Sequence, residues 1–370
     1  MATLKVNSVT NSAGTGSPDL PDGISVANTA LASLNTMDYY AQSGEPSSPK
    51  DAALWFDTDD DALKIYVNGE WLQIDYSNLP AFFGDRGLFA GGSGSNVIDY
   101  VTISAPGNAT DFGDLTSARY GLGACSNGSR GVFGGGYISS AVSNVIDYVT
   151  ISTAGNTTDF GDLTVARQYV QSACSDGTYG LFGGGMLANF SGTATIDYVT
   201  IATTANAVDF GDLTASRYSL SACSDNTYGV FGGGSTSAGI TIDYVTIATT
   251  GNATDFGDLS EAKSALASCS SSSRGLFGGG VNTAGSALFN VIEYITIATP
   301  GNSTDFGDLT VARHSLAACS NGSRGIFGGG NTSSSTTNAI AYVTIDTPGN
   351  ATDFGDLTSA RNLLAACSGD

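Results

Sequence analysis

A module of about 48 residues recurs six times from Gly87 to the end of the chain, with copies opening at Gly87, Gly131, Gly180, Gly229, Gly275 and Gly325. Each copy reads, with small changes, R-G-L-F-G-G-G, a variable stretch, V-I-D-Y-V-T-I-A-T, P-G-N-A-T-D-F-G-D-L-T, A-R and S-L-A-A-C-S-N-G. A unit of this size cannot bury its own apolar face. It must stack on its neighbours, so the repeat constrains the fold before any single residue is interpreted.

Within one copy, four strands can be read. From His314 onward, S-L-A-A-C-S is a short apolar strand, N-G-S-R a turn, G-I-F-G-G-G a second strand, A-I-A-Y-V-T-I-D a third with alternating burial, T-P-G-N a turn, and A-T-D-F-G-D-L an outermost strand. That is an antiparallel meander. The 50 glycines and the abundance of Thr, Val, Ile, Tyr and Phe fit short strands and tight turns, so helices are expected to be scarce. The first copy begins at its second strand and the last residues supply a lone first strand, so the two ends are expected to complete one blade of a closed ring. Closure would remove the exposed sheet edges. The expected fold class is therefore all-β, a six-bladed propeller over 78–370 closed by the carboxyl-terminal strand.

The net charge of −21, with only 13 Lys and Arg, argues against nucleic-acid binding. No run of 18 apolar residues is present to span a membrane, and the amino end lacks the pattern of a secretory signal. The six cysteines, Cys125, Cys174, Cys223, Cys269, Cys319 and Cys367, fall once per copy. Symmetry should hold them apart as small buried thiols rather than disulfides. One histidine, His314, is too few for an ordinary zinc site, and no cofactor is expected.

Two motifs invite sharper readings. The triplet Gly134, Gly135 and Gly136, with counterparts at Gly183, Gly232, Gly278 and Gly328, has no following helix or lysine to make it a phosphate cradle. Close backbone approach and a bulge are the expected reasons for it. The six D-F-G-D tetrads lack the companion segments of a kinase. In them Phe112, Phe160, Phe210, Phe256, Phe306 and Phe354 are expected to pack between blades. Asp114, Asp162, Asp212, Asp258, Asp308 and Asp356 are expected to satisfy turn amides or to pair with the basic residues five positions on, Arg119, Arg167, Arg217, Lys263, Arg313 and Arg361. A calcium site or an arginine-lined ligand pocket are the alternatives.

The copies differ mainly after the glycine triplet, at 93–95, 137–143, 186–194, 235–239, 281–289 and 331–337. These loops share one face with the connections between blades. If that face recognises a ligand, Tyr137, Met186, Phe190 and Phe289 are its apolar anchors; drift of an unconstrained surface is the competing explanation. Tyr120 and Tyr218, with Gln168 and His314 at equivalent places, suggest no catalytic cluster. Without a unique carboxylate pair there is no acid and base for a glycan-cleaving enzyme, and copper oxidation would want histidines that the chain lacks.

The first 85 residues are a different object. Residues 1–50 read as an extended segment, with T-L-K-V-N-S-V-T as a strand and a short helix near 27–37, ordering against a partner. Residues 51–77 read as a three-stranded meander, A-L-W-F-D, A-L-K-I-Y-V and E-W-L-Q-I, with Asn68 and Gly69 in a hairpin and Trp55, Ile65, Tyr66 and Trp71 as a small core.

The repeat resembles the kelch family: A-R, a short apolar strand, N-G, an aromatic strand ending in glycines, an acidic-Tyr strand and an aromatic near the outermost strand, as in T-V-A-R-H-S-L-A-A-C-S-N-G-S-R-G-I-F-G-G-G. It departs from that family in carrying Phe where kelch repeats usually carry Trp. The opening T-L-K-V-N-S-V-T-N-S-A-G-T-G with P-D-G-I-S-V, and the unit A-A-L-W-F-D-T-D-D-D-A-L-K-I-Y-V-N-G-E-W, resemble fibre and appendage proteins of tailed phages, including those of cyanobacterial phages. Together the resemblances imply a non-enzymatic, homo-oligomeric virion appendage of tail or capsid. Its amino-terminal segment would join other virion proteins, and its propeller would contact a host surface glycan or envelope protein. A ring or decoration protein without a receptor, or a glycan-processing propeller, are the alternatives.

Overall fold

The computed structural model describes residues 84–369 apart from 172, 237 and 283, together with residues 25–26, 29–30, 39–42, 46–47, 53–57, 62–67 and 70–73. The chain divides into two units, Met1–Leu79 and Pro80–Asp370.

In the first unit Leu54–Asp57, Ala62–Val67 and Glu70–Gln73 form the expected antiparallel meander. A fourth strand, Tyr39–Gln42, adds parallel to Leu54–Asp57. It falls in the stretch read as extended from sequence, and it covers an edge that a three-stranded meander would leave unpaired. Trp55 is buried, and its ring meets Trp71 edge-on at 5.4 Å while Tyr66 meets Trp71 at 5.2 Å. The Ile65 side chain and the T-L-K-V-N-S-V-T segment lie outside the described residues. Of the expected helix near 27–37, the described Thr29–Ala30 is instead a strand paired with Ser25–Val26.

The second unit is a six-bladed β-propeller, and no helix occurs among its described residues. The second blade shows the pattern, with Gly123–Ser126 innermost, then Arg130–Gly134, Val145–Thr150 and Thr158–Asp162. The third to sixth blades begin on Ala173–Ser175, Ser221–Ser224, Ala267–Ser270 and Ala317–Ser320. The first blade takes strands from both ends of the unit: Ala365–Gly369 pairs antiparallel with Arg86–Ala90, setting Cys367 opposite Leu88. Val97–Thr102 and Thr110–Asp114 complete it.

Six apolar clusters hold the blades, each drawing on two consecutive sheets. The D-F-G phenylalanines belong to them. Their inward turn comes from a bulge: Ile146 faces Gly161 and Asp147 faces Asp159, leaving Phe160 as the extra residue, and Gly161 has φ of 146°. Phe160 then meets Tyr148 edge-on at 5.9 Å. So the bulge expected at the glycine triplet lies at D-F-G, while the triplet supplies the close approach. Gly135, at φ 71°, turns the chain out of the strand where a Cβ would stand 2.9 Å from the Arg167 carbonyl.

Two circuits of hydrogen bonds tie the innermost strands. At one end the Ser126 hydroxyl donates to the Ser368 carbonyl, Ser175 to Ser126, Ser224 to Ser175, Ser270 to Ser224, Ser320 to Ser270 and Ser368 to Ser320, all at 2.6–2.7 Å. At the other end backbone amides do the same, Gly121 to Leu363, Leu363 to Ser315, Ser315 to Ala265, Ala265 to Ser219, Ser219 to Tyr169, and Val170 to Gly121. Each circuit returns to its start. All six cysteines are free and buried, as expected. Each thiol packs on a glycine in the second strand of a neighbouring blade, as Cys125 does on Gly180 and Cys367 on Gly131.

Candidate functional site

The run of each meander puts the loops after the glycine triplets and the connections between blades on one face, and the N-G-S-R and P-G-N turns on the other. Isolated bridges join loop to connection directly, Tyr120 with Tyr137, Gln168 with Met186, Tyr218 with Ser235 and His314 with Asn331. Sequence variation is therefore concentrated on one face, around the mouth of the axial channel.

Below that face a buried charge holds each connection to the blade it enters. Arg119 donates to Asp147 at 2.9 Å, and the pairs Arg167–Asp197, Arg217–Asp243, Lys263–Glu293 and Arg361–Asp99 repeat the arrangement with side chains at most 2% exposed. This corrects the expectation that the basic residue meets the aspartate five positions earlier. The acid is instead the one in V-I-D-Y of the following blade. The D-F-G-D aspartates serve through their backbone: the Asp114 amide donates to the Asn156 side chain at 3.0 Å, and all six P-G-N-type asparagines make the same contact. Burial pulls the guanidinium pKa of Arg119 down, against the opposing pull of Asp147.

The rim of the channel is chemically divided. Across the second to fourth blades runs a row of half-buried tyrosines, Tyr137 to Tyr120 at 5.4 Å, Tyr120 to Tyr169 at 6.5 Å and Tyr169 to Tyr218 at 6.2 Å. Burial, then its tyrosine neighbours, raises the Tyr169 hydroxyl pKa; burial and Tyr137 do the same for Tyr120. On the other side stand Ser264, His314 and Asn362, the residues following Lys263, Arg313 and Arg361. Asn362 donates to Asn331 at 2.8 Å, Thr336 donates to the same oxygen at 2.8 Å, and His314 Nδ1 lies 2.9 Å from the Ser315 hydroxyl.

The four sequence-derived anchors have different fates. Tyr137 ends the tyrosine row. Met186 is buried beside Gln168, so its side chain supports the loop rather than presenting a surface. Phe190 is 78% exposed at φ 65°, the most exposed large apolar side chain among the described residues. Phe289 is half-buried with the Lys263 ammonium 5.5 Å from its ring centre. No ring contact among the described residues links Phe190 or Phe289 to the row. Tyr169 is the member that the equivalence of copies hides. It stands two residues after Arg167, the position held by Gly121 and Ser219 elsewhere, while Gln168 takes the place of Tyr120 and Tyr218.

The channel itself is too narrow for a sugar or cofactor. At its serine end a cavity of about 90 Å³ is lined by Ala124, Cys125, Ser126 and their equivalents, against the roughly 300 Å³ at which small-molecule pockets begin. No family model and no curated protein matches the chain.

Proposed function

We propose that the chain is a structural, adhesive appendage of a virion, binding a host-surface glycan through the variable propeller face and joining other virion proteins through its amino-terminal segment. The observation that carries the binding half is the divided rim, a tyrosine row on one side and amide and hydroxyl groups on the other. A saccharide offers an apolar face of C–H groups edged by hydroxyls. Tyrosine rings cover the first at little entropic cost, and the Asn362, Asn331 and Thr336 cluster answers the second. The rigid double circuit below holds both halves in place, so binding would need little ordering of the scaffold. The virion half rests on the resemblance of the amino-terminal segments to phage appendage proteins and of the repeat to kelch propellers. A non-enzymatic role is consistent with the site, where no acid and base converge. A homo-oligomer would multiply a weak single-face affinity.

The test is retention of the full chain on a glycan array and on host cells, beside the double variant Tyr120→Ala/Tyr169→Ala, with labelled antibody against the propeller applied to particles. The reading expects glycan retention that the variant loses and label on a tail or capsid appendage. Label on the particle with no retention would leave a decoration protein, a shortened glycan would mean an enzyme, and absence of label would remove the virion role.

A further inference from the structure

One blade breaks the charge pattern. In five blades the acid that meets the connecting Arg or Lys also accepts from the Thr or Ser three residues before that base. Thr116 donates its amide and hydroxyl to Asp147 at 3.2 and 2.8 Å, and Thr164, Thr214, Ser260 and Thr358 do the same to Asp197, Asp243, Glu293 and Asp99. Three donors thus converge on each carboxylate. In the sixth blade Ala341 occupies that position, so a methyl group stands where the others carry a carboxylate.

The donors have not moved with it. Arg313 is fully buried in the pose of its counterparts, donating to the carbonyls of Ala339 at 2.7 Å, Phe327 at 3.1 Å and Gly329 at 3.2 Å. Arg119 uses the equivalent carbonyls of Val145 and Phe133, with Asp147 in addition. Arg313 therefore keeps its neutral acceptors and lacks only the charge. A buried cation without a counter-charge is costly, and carbonyl dipoles compensate it only in part. Thr310 stands at the surface in the place of Thr116, three residues before the buried Arg313.

We propose that Arg313, the Thr310 amide and the Thr310 hydroxyl form a binding site for a small carboxylate, of the size of formate, in the space left by Ala341. The ligand reproduces what the aspartate side chain supplies in the other blades, accepting one hydrogen bond from each donor and neutralising the guanidinium. It links occupancy to stability, because it binds the folded state alone.

The test is thermal unfolding of the full chain in rising sodium formate, beside Ala341→Asp, with saturation-transfer NMR on the formate proton. The general effect of salt is common to both proteins. The proposal expects Ala341→Asp to melt several degrees higher in formate-free buffer, a formate-dependent rise in Tm in the parent beyond that of the variant, and saturation transfer in the parent that Ala341→Asp abolishes. Equal shifts in the two proteins, or no transfer in the parent, would overturn it. If Ala341→Asp does not fold, Arg313→Met takes its place in the NMR experiment, and transfer that survives it is equally fatal.

Discussion

The Ser126 hydroxyl donates a 2.6 Å hydrogen bond to the carbonyl of Ser368, 242 residues away in sequence, joining the innermost strands of the second and first blades. The other five serines repeat the bond around the axis, so no blade boundary differs from the rest at this end. Ser126→Ala leaves the Ser368 carbonyl without that donor. We expect a loss of about 1–2 kcal/mol, within the range for an abandoned part-buried acceptor. Urea unfolding should show it as a lower midpoint at unchanged slope.

Gly180 shows why a thiol and a glycine recur together. A Cβ at this residue would lie 2.5 Å from Cys125 Sγ, and the glycine is in ordinary extended backbone, so the constraint is space rather than conformation. Gly180→Ala should destabilise by about 1–3 kcal/mol through overpacking. Cys125→Ala made in the same chain should restore much of that loss, and a double-mutant cycle measured by urea unfolding gives the coupling. Additive effects would contradict this packing.

The pair Arg217–Asp243 has both side chains fully buried. Asp243→Ala would strand the guanidinium and withdraw the acceptor of Thr214, and should cost about 3–5 kcal/mol. Replacing both members together, Arg217→Met with Asp243→Leu, should cost much less, because no buried charge is left behind. Calorimetric melting of the two variants separates the outcomes.

Burial raises the pKa of all six thiols, Cys367 to about 12. In the unfolded chain a thiol ionises near pH 8.5, roughly its free value. Between these limits the folded protein holds protons that the unfolded chain releases. Stability from this source is complete below about pH 8 and falls as pH rises, by up to about 1.4 kcal/mol per pH unit for each thiol. Urea unfolding at pH 7.5, 8.5 and 9.5 should show progressive loss, shallower in Cys125→Ala. A flat profile would mean that the thiols reach solvent.

Much of this architecture was legible because repetition multiplies weak signals. One V-I-D-Y-V-T segment could be many things, but six at regular spacing, with glycine turns between, are strands of stacked sheets. The partner of Arg119 was not legible by proximity in sequence. Asp114 is near in the chain, yet the connection turns it away and brings Asp147 across. A signal did exist: the single copy with Lys in place of Arg, at Lys263, is also the single copy with Glu in place of Asp, at Glu293. A shorter reach of one charge is met by a longer reach of the other. Tyr169 was hidden for a different reason, since it stands one position beyond the place of Tyr120 and Tyr218, where the other copies carry Gly121, Ser219, Ala265, Ser315 and Leu363. Met186 was misplaced because variability in a loop says nothing about which side chains turn inward.

Closure of the ring rests on the pairing of Ala365–Gly369 with Arg86–Ala90, and amide hydrogen exchange of the full chain measures it directly. The amides of 365–369 should exchange as slowly as those of Ala267–Ser270 and Ala317–Ser320, the innermost strands of the fifth and sixth blades. Exchange of 365–369 at the rate of an unstructured peptide, while the inner strands of other blades stay protected, would contradict it.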